Sequence, residues 1–313
     1  MFILTPFNLL YFRCLYCFSC ESSIVALNYQ IKTDIMKSLK LLFLIFLIFF
    51  SACNIKSKNT SSPEEKELKG TITISGAFAL YPMTTAWAEE FRKKHPKVRI
   101  DISAGGAGKG MTDALSGIVD LGMFSRGITE QEKATGVWWI AVARDAVLPT
   151  INSECPHFDL IKKSGLTKDQ FKKLYIGWQI KTWTELLNFE GQEIKNINIY
   201  TRADACGAAQ MWVEYLGANQ ENLMGVGIYG DPGMADVVKN DINGIGYNNI
   251  IYIYDVATRR KHSGLEVIPL DLNENRLIDE NEDFYNTLDD IMLAIKEEKY
   301  PSPPARDLYF VAK

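Results

Sequence analysis

"TITISGAFALYPMTTAWAEEF", residues Thr71 to Phe91, changes its period half-way along. Ile72 and Ile74 alternate with hydroxyl residues, as in a strand with one buried face. Beyond Gly76, Met83, Trp87 and Phe91 recur at helical spacing, and Pro82 sits where a first helical turn tolerates proline. The stretch reads as strand, glycine turn, helix. Such a turn leaves the first N–H groups of the helix without intrahelical partners, at the carboxyl end of a strand.

The same order recurs downstream. "VRIDIS" is a strand, "GKGMTDALSG" a helix, "VDLGMF" a strand and "VWWIAVARDAVLPTIN" a longer strand-rich segment, in which one of the adjacent Trp138 and Trp139 is expected in the core. From about Ile151 a second set follows: helical "TKDQFKKLYIG" and "WTELLN", strand "INIY", helices "GAAQMWVEYLG" and "MADVVKND", and a strand region "GIGYNNIIYIYD". The tail adds "LEVIPL", an acidic loop, the helix-patterned "YNTLDDIMLAIKEEKY" and a final strand "DLYFVAK". Short strands separated by helices predict an α/β protein with parallel, doubly wound sheets, one per lobe. The expected division is lobe I over 70–147 and 252–313, and lobe II over 148–251. With 313 residues, 47% of them hydrophobic, the chain is long enough for two cores.

The N-terminal region reads as targeting sequence. "MKSLKLLFLIFLIFFSAC", Met36 to Cys53, has a basic start, an apolar run and small residues before a cysteine. The apolar run from Leu41 to Ala52 is shorter than the roughly 18 residues a membrane span needs. "FSAC" resembles a lipobox, which implies a lipoprotein signal peptide over 36–53 and a lipid-carrying Cys53. Residues 1–35 read as an upstream extension absent from the mature protein, and the polar 54–69 as a flexible tether. The expected location is outside the cytoplasm, lipid-anchored to a bacterial membrane on its periplasmic or cell-surface side. Without residues 1–53 the chain keeps 30 basic and 36 acidic residues, a balance that disfavours a nucleic-acid partner. Of the cysteines only Cys155 and Cys206 then remain, and whether they pair is open.

Four loops share one design: "SGAFALYP" from Ser75, "SAGGAGKGM" from Ser103, "FSRG" from Phe124 and "TRADACGAAQ" from Thr201. Each leaves the end of an expected strand. Several helix N-termini gathered at carboxyl strand ends favour an oxyanion. In their order, "SGAFALYPMTTAWAEEF", "SAGGAGKGMTDALSGIVDLGMFSR", "IAVARDAV" and "RADACGAA" make the chain from about Gly70 to Lys313 resemble the phosphate-binding proteins of bacterial ABC importers. The resemblance implies a two-lobed type II periplasmic-binding-protein fold, each lobe a mainly parallel sheet flanked by helices, with the ligand cleft between lobes. It implies ligand contacts at Ala77 and Phe78, at Ala107 and Gly108, at Ser125 and Arg126, and at Arg202, Cys206, Gly207 and Ala208. It also implies capture of an inorganic oxyanion, phosphate first, and delivery to an ABC permease and its ATPase. A different oxyanion such as sulfate or tungstate, or a receptor for an anion or carboxylate without transport, is the alternative.

The departures bear on selectivity. Where the family offers Ser or Thr hydroxyls, this chain has Ala77, Ala107, Cys206 and Ala208. Main-chain N–H groups survive those replacements, and Arg126 and Arg202 are expected to add guanidinium forks. Phosphate keeps a proton at neutral pH that sulfate lacks, so discrimination needs an acceptor, for which Asp204 is the nearest candidate. Cys206 at a helix start would suit a nucleophile, but no motif brings a histidine to it, so no enzymatic activity and no cofactor for activity are expected.

A second ion is expected in "DLNENRLIDENE". Asp271, Asn273, Asn275, Asp279 and Glu282 stand at positions one, three, five, nine and twelve of the calcium-loop template, with the Leu277 carbonyl at seven. Arg276 takes the place of the usual turn glycine. No helix pair is predicted around the loop, which points to a structural ion rather than a sensor.

Overall fold

The computed structural model describes residues 67–188 and 195–313. The expected extension 1–35, the signal segment 36–53 with Cys53, and the tether up to residue 66 lie outside the described residues. β1 (Gly70–Gly76) pairs in parallel with β2 (Val98–Ala104) and β3 (Leu121–Phe124), through crossover helices α1 (Tyr81–Lys94) and α2 (Ala107–Leu115). Helix α2 lies almost on the strands. A Cβ at Gly76 would come within 2.8 Å of the Gly110 Cα, so bare backbone is what lets the two elements touch. Helix α1 buries Thr84 and Ala88, while Trp87 of the expected apolar stripe is exposed against Phe310.

A short helix, α3 (Glu130–Ala134), opens with a capping box between Thr129 and Glu132. β4 (Trp138–Asn152) then serves both halves of the molecule. Its first part, Trp138 to Ala146, runs antiparallel to β9 (Ala305–Ala312). Its second part, Val147 to Asn152, runs antiparallel to β7 (Gly244–Asn249) and β8 (Leu265–Val267). Between these lie α4 (Phe158–Ser164), α5 (Lys168–Tyr175), α6 (Trp183–Leu187), β5 (Asn198–Arg202), α7 (Gly207–Leu216), β6 (Val226–Ile228) and α8 (Gly230–Asn240). β5 pairs in parallel with β6 and β7. The strands follow the order β2-β1-β3-β9-β4-β7-β5-β6, with β8 on β4. Each half is thus parallel inside, and the halves join through antiparallel β4 and β9 in one path rather than two separate sheets.

Two main apolar cores fill this frame. The first holds Ile74, Leu80, Met111, Met123, Phe124, Leu308 and Val311. The second runs from Ala146 to Ala305 and is rich in rings. Trp212 is fully buried, its ring 5.0 Å from Phe171 and 5.8 Å from Tyr175 and Tyr247. The segment 252–304, expected with the first lobe, packs instead into this second core. β8 hydrogen-bonds to β4 at Thr150 to Asn152, Leu270 bridges to Leu166, and α9 (Leu288–Lys296) buries Leu288, Ile291, Ala294 and Ile295 there. Only β9 returns to the first core, so the chain crosses between cores near Ala146 on β4 and near Ala305 on β9. Trp138 and Trp139 are both exposed, contrary to the expectation that one is core. Cys155 and Cys206 are both buried and free.

The ring cluster yields a stability test. Replacing Trp212 by Ala should cost about 3–5 kcal/mol. Trp212→Phe should cost less than half of that, since it keeps an aromatic ring and removes an indole N–H that has no partner among the described residues. Urea unfolding followed by circular dichroism reads both. Equal losses for the two variants would show that ring packing is not what Trp212 contributes.

Candidate anion site

The four glycine turns meet. The Gly105 N–H donates to the Gly76 carbonyl at 2.8 Å, joining the second loop to the first. A Cβ on Gly106 would stand 2.8 Å from the Ala205 carbonyl and 3.2 Å from Asp204 Oδ2, which puts the second loop against the fourth. A Cβ on Gly207 would collide with the carbonyl and Oγ of Ser125, so the third and fourth loops are in contact. Phe78 packs on Gly230, its ring centre 5.7 Å from the Arg202 guanidinium, and its carbonyl accepts from Tyr252 Oη at 2.9 Å.

The donors come mostly from the main chain. Helix α2 starts at Gly106 with no side-chain cap, so the N–H groups of Ala107 and Gly108 open its first turn. Both Ala107 and Ala208 are 1% exposed, with small side chains that leave the helix starts accessible only from the loops around them. Cys206 occupies the N-cap of α7 and its Sγ accepts from the Ala209 N–H at 3.5 Å, the role a Ser or Thr hydroxyl usually takes. The Ala77 N–H is committed to the Met123 carbonyl at 2.9 Å, so Ala77 forms wall here and not a free donor.

The expected guanidinium forks are largely occupied. Arg126 donates to both Glu132 oxygens, at 3.0 and 2.7 Å, and to the Gly127 carbonyl, and lies over the Phe124 ring. Arg202 donates through Nε and Nη2 to Asp204, at 2.8 and 2.6 Å, and through Nη1 to Asp231 at 2.6 Å. Those bonds use three of the guanidinium's five N–H groups and leave two. Asp204 Oδ1 also accepts from the Gly230 N–H at 3.1 Å, whereas Oδ2 takes Arg202 alone among the described residues and faces Gly106.

From Arg202 a buried polar chain runs on to the crossing strands. Asn249 Nδ2 donates to Asp231 at 2.5 Å, Arg306 Nη2 donates to Asn249 Oδ1 and, at 3.1 Å, to Asp145 Oδ2. Asp145 and Arg306 are register partners on β4 and β9. Arg306 Nε and Nη1 are buried with no partner among the described residues. Asp231, Asn249, Tyr252 and Arg306 escaped the sequence reading because each meets the site from a distant part of the chain. Asp145 had a signal, a lone carboxylate inside the apolar run "IAVARDAV".

Burial sets the chemistry of two groups. It pushes Asp145 up to about 6, against the opposing pull of Arg306. It pushes the Cys206 thiol up to about 12, although Arg202 favours the thiolate. Cys206 is therefore held as a thiol, and its helix-start position does not make it a nucleophile.

The profile of the PBP superfamily domain matches residues 61–308. The chain belongs to the PBP superfamily. It is 28% identical over 226 residues to the phosphate-binding protein PstS of Bacillus subtilis, covering 69% of this chain and 71% of that protein. Over 284 residues it is 23% identical to PstS of Methanocaldococcus jannaschii, covering 77% and 71%. Among solved structures, one described as a phosphate ABC transporter substrate-binding protein from Clostridium perfringens, with bound phosphate, superposes at a TM-score of 0.61 and 23% identity, over 78% of this chain and 86% of that one. An ABC-type phosphate transport receptor from Vibrio cholerae gives 0.52 at 19% identity, over 78% and 87%. The type II periplasmic-binding fold expected from the sequence is the fold observed. No described helix is long and apolar enough to cross a membrane.

Two variants test the loop contacts. Gly207→Ala must push Ser125 away and should destabilise the protein by roughly 1–3 kcal/mol, while Gly127→Ala, with open space around it, should leave thermal unfolding unchanged. A silent Gly207→Ala would mean that the third and fourth loops are not in contact. A third test concerns pH. The folded pKa of Asp145 lies above its ordinary 3.8, so it contributes stability that is present at low pH and lost as pH rises through about 6. Asp145→Asn does not titrate, so its deficit against wild type should shrink by about 2 kcal/mol between pH 4 and pH 7. A deficit that is constant with pH contradicts this assignment.

Proposed function

We propose that the chain is the substrate-binding lipoprotein of an ABC importer and captures an inorganic oxyanion, phosphate first, between its two cores. One observation carries this reading: four strand-to-helix turns touch one another around the bare N-terminus of α2 and the guanidinium of Arg202. The N–H groups of Ala107, Gly108, Gly207 and Ala208 would supply donors, joined by the N–H groups of Arg202 not used by its carboxylates. Phe78 and Ser125 would wall the pocket. Arg126 would act on the third loop through Glu132 rather than on the anion.

Asp204 supplies selectivity in this scheme. Its Oδ2 retains a lone pair on the side of Gly106 and would accept the proton of hydrogen phosphate, which fully ionised sulfate cannot offer. The resemblance of the signal segment to a lipobox supports export and anchoring through lipid on Cys53. Delivery to a permease and its ATPase is supported by the described roles of the similar proteins.

Calorimetry on the full-length chain with phosphate, sulfate, molybdate and citrate tests the reading. Phosphate should bind with a micromolar or lower Kd, about 8 kcal/mol or more, and sulfate at least tenfold more weakly. Asp204→Asn should lower the phosphate-to-sulfate preference by tenfold or more, the scale of one hydrogen bond to a charged group. A preference for another anion would displace phosphate, and silence toward all of them would end the capture reading.

A further inference from the structure

Two carboxylates, Asp271 and Glu282, are buried without a counter-ion among the described residues. They are 2% and 3% exposed. Glu282 Oε1 accepts from the N–H groups of Leu272, at 2.8 Å, and Asn273, at 3.1 Å, which turns its head group onto the start of the loop. Its other oxygen, Oε2, is buried with no partner among the described residues. Asp271 accepts main-chain N–H groups of Asn275 and Arg276, at 3.1 and 2.9 Å. An ionised carboxylate withdrawn from water in this way is costly unless a cation meets it.

We propose that the loop Asp271 to Glu282 binds one Ca²⁺ as a structural ion. The orphaned Glu282 oxygen is the observation that points to a ligand, and the donor set identifies its class. Asp271 and Glu282 give charged oxygens at positions one and twelve, and Asn273, Asn275 and the Leu277 carbonyl give neutral ones at three, five and seven. Asp279 stands at position nine, where contact commonly runs through water. Among the described residues no three acidic, histidine or cysteine side chains are grouped so as to hold a metal, so Asp279 is not counted as a direct ligand. All the donors are hard oxygens, and a mixed, flexible set of this kind suits Ca²⁺ better than the strict octahedron of Mg²⁺. Arg276 takes a left-handed φ of 64° at position six, the turn that glycine usually supplies, so the arginine does not prevent the loop from closing.

The loop is tied to the body at both ends. The Asp271 N–H donates to the Leu166 carbonyl at 3.1 Å, and the Ile278 N–H to the Lys163 carbonyl at 2.8 Å. Just beyond it, Tyr285 accepts from the Leu270 N–H at 3.1 Å. An ion held there would fasten the tail segment to the junction of α4 and α5.

The test uses the full-length chain stripped with EDTA, with Ca²⁺ and Mg²⁺ as probes. Titration by calorimetry and by Tb³⁺ luminescence should give one Ca²⁺ per chain with a Kd between roughly 10⁻⁷ and 10⁻³ M. Ca²⁺ should raise the Tm by several degrees, and Mg²⁺ at the same concentration should not. Glu282→Gln should weaken Ca²⁺ at least tenfold yet unfold no earlier than wild type in EDTA, because it removes an uncompensated charge. Asn275→Ala, at an exposed position, should weaken Ca²⁺ several-fold with the Tm in EDTA unchanged, which keeps the test open if Glu282→Gln fails to fold. Absence of a Ca²⁺ response in the wild type, or a response that survives both substitutions, overturns the proposal. Phosphate titration should be unaffected by either variant, so the calcium and anion readings fail separately.

Discussion

The architecture depends on one buried line of charge. Asp145 and Arg306 face each other where β4 and β9 pass between the cores, and Asn249 and Asp231 extend that pair to Arg202 in the fourth loop. None of these groups is more than 7% exposed. Removing one member leaves its neighbour as an unpaired charge in a poor solvent, which costs more than the pair itself contributes. The same side chains thus hold the crossing strands in register and aim the arginine of the cradle. At this crossing the described cores are linked by β4 and β9, and paired charge rather than packed apolar groups lies between those strands.

Much of this was legible in the sequence wherever the chain's period was strong. β1 to α1 and the glycine turns at Gly76, Gly106 and Gly207 lie where the change from alternation to helical spacing puts them. The failures have physical causes. β4 is exposed over its first residues and buried from Ala146 to Asn152, with Arg144 and Asp145 between, and its sequence pattern does not declare the direction of its partners on either side of that break. The tail from Tyr252 to Pro304 carries apolar faces that either core could have buried, and the choice rests on the contact of β8 with β4. Arg306 lies 161 positions from Asp145, so nothing local marks it as a partner. Trp138 and Trp139 stay exposed despite their size, and a strand pattern alone does not tell which part of a sheet is covered.

The alanines of the cradle are intelligible once the helix starts are placed. A hydroxyl at an N-cap serves the helix by accepting a main-chain N–H, and Cys206 does so with sulfur. The alanines Ala107 and Ala208, inside the first turns, keep the N–H groups that matter and add no polar atom to be desolvated. What is lost is directional side-chain donation. Under the proposed function, discrimination among anions would then rest on Asp204 as acceptor rather than on hydroxyl donors.

Electrostatics leaves little alternative to such a cradle. The chain carries more acidic than basic residues, and Arg202 faces two carboxylates, so net charge around the fourth loop does not attract an anion. In the proposed function, capture would come from fixed N–H groups at short range, those of the helix starts and the remaining ones of Arg202, which act strongly once water is excluded and hardly at all across open solvent. On that reading, contact between the loops would be a requirement and not a consequence of binding. Only glycine at 207, bare of a Cβ against Ser125, lets the fourth loop come that close.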